Sequence, residues 1–538
     1  MNFIKAIFIF PALVLAFNQA HAQKKHVVTK KPNIIIILAD DMGYSDIGCF
    51  GSETQTPNLD RMAKTGLVMT QFYNASRCCP SRASLLTGLY QHQAGVGDMV
   101  NHRVEPAYQG WLNNNCVTIA EVLKGAGYNT YMAGKWHVGT APGRWPVNRG
   151  FDHHFGLIDG AGSYFDPTNP YRPNQKLTIA LDDQSYVPQK GFYATDAYAD
   201  YAVKYIKDNK QSGKPFFLYM AFTAPHWPLH ALPADVAKYK GKYMAGWDKL
   251  RKQRFNRMKQ LGIINTTTTL SPRDSKVPDW NSLTDAEKTV WDEKMAVYAA
   301  MIDRMDQNIG RIKQAIRESG EENNTVIMFL SDNGASSESI KGPGFTPEML
   351  AANQKPASDP SSFTAYGFEG ANVSNTPLTL FKHWVYEGGT ATPFIVSYPA
   401  VIKKHIESKQ PGHLVDLMAT CIDLSGAKYP STYKGNSIKP TEGISLLPVI
   451  KGKPWKGHDA LFWEHEGNRA VRQGSWKLVS DYPANKWHLY NIVEDRSEQN
   501  DLSVKYPQTV KKLEQLYNNW SNRIGVVPFE KLSKSKSE

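Results

Sequence analysis

The chain has 538 residues, 41% of them hydrophobic and 21% charged, with 62 basic side chains against 50 acidic ones and a formal net charge of +12. This length exceeds one ordinary core, so a large domain with a smaller companion is expected, and five scattered cysteines exclude a disulfide scaffold. The positive balance favours anionic partners, but the basic residues are dispersed and carry no nucleic-acid motif, so nucleic acid is not the expected partner.

In chain order, residues 1–22 read as a secretory leader: Lys5, an apolar core over 6–17, and the small-x-small site Ala20-His21-Ala22. The apolar stretch is short for a membrane span, no cysteine follows the cleavage site, and no later run is long enough to cross a bilayer. A periplasmic or secreted protein without stable membrane insertion is expected. Residues 33–38 (Asn-Ile-Ile-Ile-Ile-Leu) are apolar on both faces, as a central strand of a parallel sheet should be. In the run Cys78-Cys79-Pro80-Ser81-Arg82-Ala83-Ser84-Leu85-Leu86-Thr87-Gly88, proline at the first helical position would leave Cys78 just ahead of the helix, where free N–H groups attract an anion.

A helix is predicted over 118–126, a strand over 129–133, a helix over 196–207 and a strand over 215–222. The polar, basic stretch 238–278 reads as a surface excursion, and 282–318 as a long helix with an apolar stripe. A strand over 325–330 follows, then a Gly- and Ser-rich loop over 342–376 suited to a lid, then a strand over 393–398. This alternation predicts an α/β domain over 23–454 with a mostly parallel sheet between helices. Short strands over 460–464, 469–472, 476–480 and 488–490 and a helix over 506–523 predict a C-terminal antiparallel sheet over 455–530, ahead of a disordered tail at 531–538. A Cys49–Cys116 bridge is left open.

The polar clusters fall just after these strands, where active sites of open α/β sheets collect. Asp40 and Asp41 end the first strand, and Asp332 and Asn333 follow the run 325–330; together they form a hard, all-oxygen set suited to Ca²⁺ or Mg²⁺. After 129–133, Lys135 and His137 project to one side in an extended chain, able to grip an anion and move a proton. His226 lies between Pro225 and Pro228, which predict an extended loop, and His230 is read as structural. Lys382 precedes the turn Glu387-Gly388-Gly389.

The segment Cys78-x-Pro80-Ser81-Arg82 with Thr87-Gly88 resembles the signature of the formylglycine-dependent sulfatases, with Cys79 in the free position. Gly134-Lys135-Trp136-His137 and the segment around His226 also resemble that family, and Trp463-Glu464-His465 looks closest to its bacterial arylsulfatase-like members. The resemblance implies an alkaline-phosphatase-like fold and oxidation of Cys78 to formylglycine by a maturase. It implies one Ca²⁺ (Mg²⁺ less so) held by Asp40, Asp41, Asp332, Asn333 and the oxidised Cys78. Lys135, His226 and Lys382 would hold the sulfate, with His226 or Lys382 protonating the leaving oxygen. His137 would deprotonate the second hydroxyl of the hydrated aldehyde, and Arg82 would support that group and the metal ligands. The sequence departs from the common Lys-Gly-Thr form at Lys382-His383-Trp384-Val385. Trp227, His383, Trp384 and His465 are expected near the leaving group, with a galactose or hexosamine sulfate, or an artificial aryl sulfate, as the substrate. The rivals are a phosphatase or phosphodiesterase, which would use Ser or Thr with histidine-ligated metals, and a non-catalytic binder of sulfated glycans.

Overall fold

The computed structural model describes residues 30–533. The expected leader and the tail beyond 533 lie outside the described residues. The strands β1 (Asn33–Ala39), β2 (Leu67–Tyr73), β3 (Asn129–Gly134), β4 (His153–Leu157), β5 (Ile179–Leu181), β6 (Gln184–Ser185), β7 (Phe216–Ala221), β8 (Thr325–Ser331), β9 (Ala391–Ser397), β10 (Ile406–Ser408) and β11 (Gly412–His413) build one sheet. Its order is β10-β2-β9-β8-β1-β7-β3-β4-β5-β6, with β11 beside β2.

Every residue of β1 is buried, which explains its unbroken apolar run. Successive side chains point to opposite faces: Ile35 and Ile37 join one core, and Ile34, Ile36 and Leu38 join the other. Helices Ala194–Asn209 and Asp285–Glu318 cover the first face, while Cys78–Thr87, Ile119–Gly125 and Asp416–Ser425 cover the second. The 34-residue helix Asp285–Glu318 begins at a capping box, in which Thr284 accepts from the Glu287 amide.

Strands β8, β1, β7, β3 and β4 run parallel, but β9 is antiparallel to both β2 and β8. The register of β9 against β2 shifts between Met69 and Phe72, and Pro393 sits in that interval, where a residue without an N–H is tolerated.

The stretch 238–278 is not a simple surface excursion. Its helix Trp247–Gln260 buries Arg251 and Arg254, and Arg254 pairs with Asp46 and Glu53, each at 2.7 Å. The expected loop 342–376 likewise contains the helices Pro347–Ala352 and Gly367–Ser374. All five cysteines are free thiols, so the Cys49–Cys116 bridge is absent.

Strands Leu461–His465, Asn468–Gln473, Trp476–Ser480 and Trp487–Asn491 form a separate antiparallel sheet. Helix Pro507–Ile524 packs Leu513, Tyr517 and Trp520 on its Val471, Leu478 and Leu489. Lys477, fully buried, joins this sheet to the large one through Glu387 (2.9 Å). The beginning of the expected tail is ordered against the large domain: the Ser533 amide donates to Glu105 (3.1 Å).

Candidate active site

Because β8, β1, β7 and β3 are parallel neighbours, their carboxyl ends share one edge. Ala39 pairs with Ser331, Leu38 with Ala221, and Ala221 with Gly134. Asp332, Asp40 and Lys135, each one residue further on, therefore stand side by side, their amides bonded to Ala39, Ala224 and Ala221 at 3.1, 3.0 and 2.8 Å. Gly134 (φ +111°) permits this approach, since a Cβ there would lie 1.8 Å from the Ala221 carbonyl oxygen.

Helix Cys78–Thr87 begins at Cys78, with Arg77 as its N-cap. Cys78 is thus in the first turn rather than ahead of it, and Arg82 follows one turn later on the same face. The buried Arg82 donates from Nη1 to the Lys135 carbonyl (2.8 Å) and from Nη2 to Asp332 Oδ2 (2.8 Å), with Asp40 Oδ2 at 3.5 Å. Lys135 Nζ reaches Asp40 Oδ2 at 2.6 Å, both side chains closed to solvent.

Asp41 adopts φ +63°. Its Oδ1 accepts from Asn333 Nδ2 (2.7 Å), and its Oδ2 from Lys382 Nζ (2.9 Å), with His226 Nε2 at 3.4 Å. Two buried oxygens, Asp40 Oδ1 and Asn333 Oδ1, have no hydrogen-bond donor. A hard donor set with orphaned acceptor oxygens fits a Ca²⁺- or Mg²⁺-sized cation. His226 stands against the same acids: donor atoms of Asp40, Asp41 and His226 gather within 4.8 Å.

The loop bearing His226 turns rather than extends: its amide donates to the Thr223 carbonyl (2.9 Å), and both flanking X–Pro bonds are cis. His226 Nδ1 bonds the Trp227 carbonyl (2.6 Å), leaving Nε2 facing Asp41 and Lys382. His137 (φ +59°) lies with Cys78 and Cys79, their donor atoms within 4.8 Å. Gly160 is required there, because a Cβ would meet His137 Nε2 at 2.4 Å.

Burial and neighbouring charges compete across the site. Burial raises the Asp40 and Asp332 carboxyls despite Lys135 and Arg82. For Asp41 burial is outweighed by His226 and Lys382, so this carboxyl is lowered. Burial lowers His137 and His226 to about 4, leaving neutral imidazoles at pH 7. Burial opposes the Lys382 charge, but Asp41 and Glu338 push its pKa up. The hydrogen bond from Cys79 holds Cys78 well below the usual thiol range against burial, with help from Lys135 and His137.

A cavity of about 250 Å³ opens over this edge, lined in part by Cys78, His137, His226, Trp227, Glu338 and Lys382. Of the four side chains expected near the leaving group, Trp227 lines this cavity. His383 and His465 gather instead around Glu466, and Trp384 packs against His383 and Phe381. His230 is structural, bonded to the Ser362 carbonyl at 2.7 Å.

Among the cavity-lining residues that the sequence reading does not single out, Glu338 and Arg77 stand beside Lys382. Glu338 accepts from Trp227 Nε1 (2.7 Å), Lys382 Nζ (3.2 Å) and Arg77 Nη1 (2.9 Å). The available signal for Glu338 was its position six residues beyond Asp332, on the loop leaving the same strand end.

The sulfatase family profile matches residues 32–427, and that of the N-sulphoglucosamine sulphohydrolase C-terminal region matches 379–523. This chain belongs to the sulfatase family. It is 34% identical over 541 residues to an uncharacterised sulfatase of Schizosaccharomyces pombe, covering 95% of this chain and 96% of that protein. With the arylsulfatase of Klebsiella aerogenes it shares 35% identity over 469 residues, 84% of this sulfatase and 97% of the relative. The crystal structure of Ps i-CgsB, also solved in complex with k-i-k-neocarrahexaose, superposes with a TM-score of 0.67 at 26% identity, covering 91% of this chain and 93% of that one. Family and neighbours agree with the alkaline-phosphatase-like fold, and the enzyme is a sulfatase acting on sulfate esters. Among the described residues, no helix is long and apolar enough to cross a membrane.

Proposed function

We propose that this sulfatase releases inorganic sulfate from sulfated saccharides, galactose or hexosamine sulfates, and from aryl sulfates, using Cys78 matured to formylglycine and one Ca²⁺. Export to the periplasm or medium, with the catalytic domain over 23–454 and its companion over 455–530, belongs to the same reading. The observation that carries it is the convergence on Cys78 of a buried oxygen set, with Asp40 Oδ1 and Asn333 Oδ1 lacking donors, and of Lys135, His137, His226 and Lys382.

Asp40, Asp41, Asp332, Asn333 and residue 78 would hold the cation, whose charge would offset the buried carboxylates and favour binding of an anionic sulfate. The hydrated formyl group supplies two hydroxyls on one carbon, one for transfer and one for release. Lys135 and Lys382 bring positive charge to the sulfate oxygens in a site largely closed to water. His226 keeps its Nε2 turned toward the sulfate position through its Nδ1 bond to Trp227. His137, neutral at pH 7, is ready to take a proton from residue 78. Arg82 fixes Asp332 and the Lys135 backbone together.

A saccharide leaving group is supported by the neocarrahexaose complex of Ps i-CgsB and by the polar walls of the cavity. The test combines mass spectrometry of the Cys78 peptide, from protein made in a host with the maturase, with turnover of matched sulfate and phosphate esters and a panel of defined saccharide sulfates. Oxidised Cys78 with preference for sulfate is expected. Unmodified Cys78 in active protein, or preference for phosphate, would refute the reading.

A further inference from the structure

Outside the cavity, one cluster of metal-ligating side chains among the described residues has no role in this mechanism. His383, on the loop that carries Lys382, meets His465 and Glu466 at the end of strand Leu461–His465, and their donor atoms lie within 4.8 Å of one another. Glu466 Oε2 is 2.9 Å from His383 Nδ1 and 3.9 Å from His465 Nε2. Ligands about 2.0–2.2 Å from a tetrahedral ion sit roughly 3.4 Å apart, and the two observed separations bracket that spacing.

The His465 side chain is fully buried, yet neither ring nitrogen has a hydrogen-bond partner. An orphaned buried nitrogen is costly, and both imidazole nitrogens of one histidine are unpaired here. His383 and Glu466 are 30% and 26% exposed, so the cluster reaches solvent through these two side chains while His465 does not.

We propose that His383, His465 and Glu466 form a second metal site, for a transition-metal dication of the Zn²⁺ class. Two imidazoles and one carboxylate suit Zn²⁺ or Co²⁺ over Ca²⁺, and water would fill the fourth position. Asn468 Nδ2, which points at His383 Nε2 from 3.3 Å, must give up that contact when Nδ1 takes the ion and the ring proton moves to Nε2. The ion would add a metal link between the Lys382 loop and the C-terminal sheet, beside the Glu466–His383 pair, the Asn468 contact and the Tyr386–Asp481 hydrogen bond.

The test is titration of full-length Cys78→Ala protein with Co²⁺ in saturating Ca²⁺, followed by visible absorption and metal analysis after dialysis. This background removes the Cys78 thiol from the neighbouring Cys78–Cys79–His137 group, and Ca²⁺ fills the oxygen set. One Co²⁺ per chain with a tetrahedral, thiolate-free spectrum is expected, weakened about 10-fold or more by Glu466→Gln and by His465→Gln. Glu466 lies in a turn and is only partly buried, so its variant tests the site even if His465→Gln fails to fold. No Co²⁺ retained, or retention unchanged in Glu466→Gln, would overturn the proposal. Neither result bears on sulfate hydrolysis, which is assayed separately in matured protein.

Discussion

Lys382 divides its ammonium between Asp41 (2.9 Å) and Glu338 (3.2 Å), one carboxylate of the acidic cluster and one of the cavity wall. Glu338 is itself held by Arg77 and Trp227, so it fixes where the lysine points. Glu338→Gln keeps the shape but removes the charge. It is expected to lower kcat on an aryl sulfate about 10-fold with a smaller change in KM, read by steady-state kinetics. An unchanged kcat would show that Asp41 alone positions Lys382.

Arg82 and Asp332 meet at 2.8 Å with no solvent on either side chain. Breaking a buried pair from one side strands the other charge and costs on the order of 3 kcal/mol. Arg82→Met is therefore expected to lower the midpoint of chemical unfolding clearly. Arg82→Lys should recover only part of the loss, since an ammonium cannot reproduce the fork to Asp332 and to the Lys135 carbonyl. A wild-type midpoint in Arg82→Met would contradict this account.

Chelation supplies a third test. If Asp40 Oδ1 and Asn333 Oδ1 await a cation, Ca²⁺ returned to chelator-treated protein should stabilise it by about 2.7 kcal/mol at a hundredfold excess over Kd. Thermal melts with and without Ca²⁺ measure this. In Asp40→Asn the Ca²⁺-dependent rise in Tm should shrink or vanish; a full rise would place the ion elsewhere.

Much of this arrangement is legible in the sequence, for local reasons. β1 announces itself because both its faces are buried, and the acids after β1 and β8 stand out because strand ends punctuate apolar runs. What is illegible depends on contacts distant in sequence. Arg251 and Arg254 look like a solvated basic face, yet they are buried because Ser271, Asp46 and Glu53 wait on other segments. The direction of β9 is set by its neighbours, not by its composition. His383 was expected at the leaving group, but the backbone there adopts φ +88° with its amide bonded to Ser76, and the ring meets Glu466 instead. Glu338 lies in a loop without periodicity, so only the fold assigns it to Lys382.

Acid sensitivity follows from buried histidines that take no part in the proposed chemistry. Burial lowers His154 to about 4 and His413 to about 3, against 6.5 for an exposed imidazole. The Val415 amide donates to His413 Nδ1 (3.3 Å), as a neutral ring requires. Between these folded values and 6.5, the unfolded chain binds more protons than the folded one, so stability rises with pH across that window. It is fully present above about 6.5 and is lost as pH falls toward 4 and then 3, by on the order of 3 kcal/mol for His154 and on the order of 5 kcal/mol for His413. Unfolding midpoints should therefore hold from pH 7.5 to about 6.5 and then fall down to pH 4.5, less steeply in His413→Asn, whose side chain does not titrate. Equal slopes in the two proteins would mean that His413 takes up its proton without unfolding the site around it.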